Sequence, residues 1–272
     1  MITGIDHVVI LVDALEAAMR RFEALGFEVT RGGAHPAWGT ENALIPLADG
    51  SYLELLAARD PALASRHRLW QRPDGTMRAP GTYGGYALGT DDVERDVLGI
   101  RARGLDLTEP QAGARQRPDG QMVRWRLAFS ARPHLPFLIE DETPRPLRIA
   151  PPAHGLGLHA GMDEVVVAVS NLVDATRAYE RLLGVPATGA RFQTPRGGIE
   201  LRAGRSTDAR PTEARPASRA AVDAGVRSVV LGVRRWAEST RAIEGVLQPV
   251  EDATCIDPAS TGGVRLFLRP QP

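Results

Sequence analysis

The chain opens on an apolar run, "GIDHVVILV", that reads as a buried strand. A helical pattern follows at once. Leu15, Ala18, Met19, Phe22 and Leu25 fall on one helical face, with Asp13 as the N-cap and Gly26 at the C-terminal end. Phe27 and Val29 then alternate as the next strand.

The pattern returns. "DEVVVAVSNLVDATRAYERLLGV", from Asp163, has the same strand, a polar cap at Ser170 or Asn171, and a helix closed by Gly184. Weaker copies begin at Gly85 and Arg227. Each helix is followed by short strands: "YLELLA" around Glu54, "MVRWRLAF" and "LPFLIED" up to Glu140, "GGIELRA" around Glu200, and "GVRLFLRP" at the end. The unit is β-α followed by two or three strands, and it occurs four times.

One such unit exposes a sheet face that needs covering, so units are expected in pairs. The proline- and glycine-rich "DETPRPLRIAPPAHGLGLHAG" separates them. The expected fold is α+β, with tandem paired βαβββ modules in two cup-shaped domains, residues 1–145 and 160–272. A polar stretch over 205–225 reads as a mobile loop without functional residues, and a short helix is expected near Pro61 to Trp70.

Composition narrows the function classes. Of 272 residues, 43% are hydrophobic, enough for proper cores. Basic and acidic residues number 33 each, which argues against a nucleic-acid or anionic-lipid face. Every basic residue is arginine, so lysine chemistry is absent. The one cysteine, Cys255, cannot form an internal disulfide and has no base beside it. The apolar runs fall far short of the roughly 20 residues that span a bilayer. A cytoplasmic protein without a membrane or nucleic-acid partner is expected, with a homodimer left open. No P-loop, dinucleotide fingerprint or Gly-x-Ser-x-Gly elbow occurs.

The repeated unit, together with "GGAHPAWGTENALIPLADGSYLELLA", resembles the glyoxalase-like domain of the vicinal oxygen chelate superfamily. The glyoxalases, extradiol dioxygenases and fosfomycin-resistance proteins belong to that superfamily. The resemblance covers the whole chain in outline and is specific in the first half. It implies that two paired units roll into a cup holding a divalent metal. The ligands come from the first and last strand of each unit. Carried onto this chain, they are His7, Glu54 and Glu140, with Gly85 or Tyr86 at the fourth place. One imidazole and two carboxylates would suit Fe, Mn, Ni, Co or Zn and a small substrate with neighbouring oxygens.

Each residue also has an ordinary reading. His7 is then a satisfied strand histidine, Glu54 a solvent-facing glutamate, and Glu140 the start of an exposed acidic terminus. Tyr52 shares the strand face of Glu54 and could donate a hydrogen bond to a bound oxyanion; with His35 it is the catalytic candidate. Thr40 and Asn42 are candidate substrate contacts, the alternative being that they satisfy turn backbone. Trp125 is a candidate pocket wall, and either it or Arg124 and Arg126 faces the cup.

In the second half Glu164 and Glu200 match His7 and Glu54, while the fourth unit offers Arg227 or Ser228 and Leu266 or Phe267. That half is expected to be metal-free. His154 and His159 lie in the linker as loop histidines. The expected function is a metal-dependent lyase, isomerase or dioxygenase. A binding or sequestration protein using the same cup is the alternative.

Overall fold

The structure is a computed structural model and describes residues 1–72, 76–204, 224–250 and 253–272. The polar stretch at 205–225 lies almost wholly outside the described residues.

The first unit is β1 (Ile2–Val12), α1 (Leu15–Ala24), β2 (Thr30–His35), β3 (Thr40–Pro46) and β4 (Tyr52–Ala58). The short α2 (Pro61–Ala64) and a 3-10 turn at Arg68–Trp70 lead to the second unit. That unit is β5 (Thr82–Thr90), α3 (Val93–Ala102), β6 (Gln111–Gln116), β7 (Met122–Ala128) and β8 (Phe137–Asp141), followed by α4 (Arg145–Arg148). The third has β9 (Ala160–Val169), α5 (Leu172–Leu183), β10 (Arg191–Gln193) and β11 (Gly198–Ala203). The fourth has β12 (Gly225–Val233), α6 (Trp236–Thr240), β13 (Leu247–Val250), β14 (Ala253–Ile256), α7 (Pro258–Thr261) and β15 (Leu266–Pro270).

The helix ends follow the sequence with one shift. Asn171 caps α5, its side chain accepting the Asp174 N–H at 3.0 Å, and Gly184 follows the last turn. Ala14 occupies the cap position of α1 without a side-chain bond. Asp13 instead accepts the N–H of Ala14 at 2.8 Å, one residue early.

Strands β1 to β8 form a closed barrel in the order β1-β4-β3-β2-β6-β7-β8-β5. β1 lies parallel to β4 and antiparallel to β5. Alternation along β1 divides its side chains: Val8, Ile10 and Val12 join the outer core with Phe22 of α1, and Val9 and Leu11 point into the barrel. The outer core is continuous with the second half, where Val165, Val167, Val229 and Leu231 pack in the same cluster. Burying each such side chain stabilises the fold by about 1.5–3 kcal/mol. Tyr86 and Tyr179 meet inside it with their hydroxyls 2.8 Å apart.

The second sheet has seven strands, β10-β11-β9-β12-β15-β14-β13, and stays open. Its edges are the three-residue β10 and the four-residue β13, too short to close on each other.

Closure of the barrel rests on a seam between β2 and β6, where Ala34 pairs with Gln116. Gly33 makes that approach: its φ is +136°, and a Cβ there would lie 1.9 Å from the Gln116 carbonyl oxygen. Gly33→Ala is therefore expected to cost roughly 2 kcal/mol or more, through a strained φ and a backbone clash. Urea denaturation followed by near-ultraviolet circular dichroism measures it.

Candidate functional site

The site begins with an irregularity in β1. Pairing with β5 slips between Ile5 and His7, leaving Asp6 as an extra residue. Such a bulge re-aims side chains. Ile5 still packs outward, while Asp6 and His7 are both buried on the barrel side.

Asp6 Oδ1 accepts a hydrogen bond from His7 Nδ1 at 2.7 Å. Arg148, at the end of α4, grips the same carboxylate with Nη1 to Oδ1 at 2.9 Å and Nη2 to Oδ2 at 3.0 Å. Arg145 adds a contact to Asp6 Oδ2 at 2.6 Å. Burial opposes the charge on Asp6, but Arg148 and His7 overcome it and hold the carboxyl well below the usual carboxylate range. Arg148 also donates to the Tyr52 hydroxyl at 2.5 Å and to Asp141 through Nε and Nη2.

His7 Nε2 points the other way and lies 3.5 Å from Glu54 Oε2. The second oxygen of Glu54 accepts from Asn42 Nδ2 at 2.6 Å. Asn42 Oδ1 in turn faces Arg115 Nη1 at 3.4 Å. Tyr52 stacks on His7 with ring centroids 4.6 Å apart. Its hydroxyl is pushed well above the usual phenol range, mainly by burial, so it stays protonated. His35 Nδ1 sits 3.0 Å from Thr40 Oγ1.

Apolar side chains wall this floor, among them Trp38, Trp125, Phe129 and Phe137. The space is narrow, a cavity of about 40 Å³. A wider space shares Leu69, Phe129 and Phe137 with it. Among the described residues that second space is lined by Arg68, Arg72, Arg78 and Arg132 and by no acid.

Of the candidates read from the sequence, the structure brings His7, Glu54, Tyr52, His35, Thr40, Asn42 and Trp125 into one cup. Glu140 is not there, which corrects the three-ligand expectation. Along β8, Phe137 and Ile139 face the cup, and Glu140 faces α3 and accepts the Val93 N–H at 3.0 Å. Trp125, not its neighbours, faces inward; Arg126 pairs with Glu94 on the outside.

The fourth ligand place is also corrected. His7 pairs across β1 and β5 with Ala87, so neither Gly85 nor Tyr86 occupies it. In β4 the residue opposite His7 is Tyr52, two before Glu54; in β8 the residue opposite Ala87 is Phe137, two before Ile139. The four equivalent places thus hold His7, Glu54, Ala87 and Ile139. Two donors remain, and among the described residues no group of three or more His, Cys, Asp or Glu is placed to hold a metal ion. This donor set does not fit the expected divalent ion.

The same register in the second half gives Glu164, Glu200, Val230 and Arg269. Arg269, not Leu266 or Phe267, stands at the last place, and it pairs with Asp163 and with Glu164 at 3.7 Å. Arg191 and Arg202 reach Glu200 at 3.3 and 2.9 Å. In the linker, His154 pairs with Glu28 at 3.0 Å on the surface.

Sequence reasoning missed Asp6, His67, Arg115 and Arg148. His67 lines the cup from the turn after α2. A bulge and an arginine inside a proline-rich linker leave no periodic signal.

A closed barrel of two βαβββ units, with a polar cluster where the first and fourth strands meet, defines a protein of the vicinal oxygen chelate superfamily. The family model described as a glyoxalase-like domain matches residues 5–183, and the chain belongs to that family. The match runs past residue 145, through β9 to the end of α5. No curated protein matches the chain in sequence. A hypothetical protein from Staphylococcus aureus is similar over 98% of this chain and 99% of its own, at 14% identity and a TM-score of 0.66. A xylose isomerase-like TIM barrel/4-hydroxyphenylpyruvate dioxygenase fusion protein is similar over 89% of this chain and 38% of its own, at 15% identity and a TM-score of 0.51. Both likenesses concern the fold. Methylmalonyl-CoA epimerase from Streptomyces coelicolor matches 53% of this chain and all 100% of its own at 25% identity, but its TM-score of 0.38 is too low to bear on the site.

Burial drops the pKa of His35 to about 4, and that of His67 to about 4. Unfolded histidines titrate near 6.5, so between about 6.5 and 4 the unfolded chain binds the extra protons. Stability is therefore expected to fall as pH is lowered through that window, by on the order of 3 kcal/mol for His35. Asp6 acts below it, its contribution being lost as pH falls through its depressed value. Urea titrations at several pH values, with His35→Gln flattening the upper window, measure this.

Proposed function

We propose that the protein is a small-molecule enzyme in which His7 and Glu54 form a general acid–base pair on the floor of an aromatic cup. The observation that carries this reading is the opposition of His7 Nε2 and Glu54 Oε2 at 3.5 Å. That distance is too long for a hydrogen bond and leaves two proton-accepting atoms facing one space. Each is fixed from behind. Asp6 takes the Nδ1–H of His7, which selects the tautomer with its lone pair on Nε2. Asn42 holds the far oxygen of Glu54. A donor group of a bound molecule, placed between them, satisfies both.

Such a pair suits isomerase and lyase steps, which begin by moving a proton on carbon or oxygen. Positioned acid–base groups contribute about 10²–10⁴-fold to such steps. Tyr52, still protonated and stacked on His7, supplies a hydrogen bond to an oxygen that gains charge. Thr40 and His35 line the adjoining wall, and Trp125 supplies an apolar face. Asn42 serves Glu54 first and the substrate second.

A second reading is a binding protein that sequesters its ligand. The observation favouring it is Ala87 and Ile139 at two of the four polar places of the cup.

Proton exchange separates the two. Aromatic and branched 2-oxo acids, 2-hydroxy acids and aldehydes are incubated with the protein in D₂O and EDTA, and deuterium at the carbon beside the oxygen is followed by NMR. The enzyme reading expects exchange that His7→Gln and Glu54→Gln each slow by roughly 100-fold or more while binding changes little. Compounds that bind without exchange would favour sequestration.

A further inference from the structure

Two arginines meet beneath the cup, and they differ in one respect. Arg148 directs all five of its N–H groups to Asp6, Asp141 and Tyr52. Arg115, just as buried at 3% exposure, directs two: Nη2 to the Arg148 carbonyl at 2.8 Å, and Nη1 to Asn42 Oδ1 at 3.4 Å. Among the described residues its other three donors have no hydrogen-bond acceptor, and Nε is shut away from solvent without a partner. Among the described residues no carboxylate lies within 4.0 Å of this guanidinium. Glu54 is held back from it by Asn42, whose amide presents oxygen to the cation and nitrogen to the carboxylate.

An unpaired buried charge is costly, and packing alone does not call for one here. The backbone even makes room for it. A Cβ on Gly32 would lie 2.7 Å from Arg115 Nη1 and 2.2 Å from Asn42 Oδ1. Beside the cup, Arg68 sits over the Phe129 ring, 5.0 Å from its centroid.

We propose that Arg115 is the anion-binding residue of the cup and that its ligand is a small carboxylic acid with an apolar body. The planar carboxylate matches the guanidinium and supplies its missing acceptors. The body lies against Trp38, Trp125 and Phe137. Arg115, Asn42 and Glu54 stand in a row, so the carbon next to the carboxylate falls on the Glu54 side. Where that carbon loses a proton, the inference rests on the acid–base reading above; the binding itself does not.

The test is calorimetric titration of the full chain with phenylacetate, 3-phenylpropanoate and 4-methylpentanoate, each beside its amide. At least one acid is expected to bind roughly tenfold or more tightly than its amide, the value of one charge-assisted hydrogen bond pair. Arg115→Met is expected to abolish that preference and Arg115→Lys to keep part of it. Arg115→Met is also expected to melt no lower than the parent, since it removes an uncompensated charge; a merely structural arginine would melt lower. Amides binding as tightly as acids, no binding of either, or an unchanged preference in Arg115→Met would each overturn the proposal. Acid binding without deuterium exchange would sink the acid–base reading and leave this one standing. Exchange with equal acid and amide binding would do the reverse.

Discussion

The buried pair of Asp6 and Arg148 is the constraint on which the rest of the site depends. Arg148 arrives from a segment after the barrel's last strand, and Asp6 from a bulge in its first. Removing either partner would leave the other with only part of its buried charge compensated, by Arg145 for Asp6 or by Asp141 for Arg148, a loss of up to about 3–5 kcal/mol. With both present, α4 is fixed against the barrel, Tyr52 is held by its hydroxyl, and His7 is turned by its Nδ1. The carbonyl of Arg148 is also the one firm anchor of Arg115. Three polar groups of the cup, Tyr52, His7 and Arg115, therefore take their positions from one ion pair.

The charges sort into two kinds. Asp6, Asp141, Arg145 and Arg148 neutralise one another and serve structure. Glu54 and Arg115 stand apart with an asparagine between them, and His7 faces Glu54 across an open gap. The superfamily's other two polar places carry Ala87 and Ile139, so the β5 and β8 wall of the cup is dry at those places. In the second half, arginines close on Asp163, Glu164 and Glu200 at the corresponding places. The same scaffold is thus used once as a cup and once as an open sheet whose corresponding carboxylates are paired with arginines.

Much of this was legible in the sequence because it repeats. Four strand–helix copies gave the paired units, and alternation around Glu54 put Tyr52 on its face. The idiosyncratic "HPAWGTEN" string pointed to His35, Thr40 and Asn42. The failures have a common physical cause. A strand's two faces differ by one residue, so choosing Glu140 over Ile139 reversed the side chain's direction. The bulge that turns Asp6 inward breaks alternation, and nothing local announces it. Arg148 lay in a proline-rich stretch that composition marks as a linker, and His67 lay on a turn. Arg115 sits on β6, where the buried alternation falls on Gly113 and Arg115 itself, and neither reads as an apolar position.

The most direct measurement is the protonation pattern of the His7 ring, read by long-range ¹H–¹⁵N NMR near neutral pH, with and without Co²⁺. A hydrogen on Nδ1 that is lost in Asp6→Asn, and ring signals indifferent to Co²⁺, are what a fixed acid–base histidine requires. An unprotonated Nδ1, or paramagnetic broadening centred on His7 and Glu54, would contradict it and return the cup to metal chemistry.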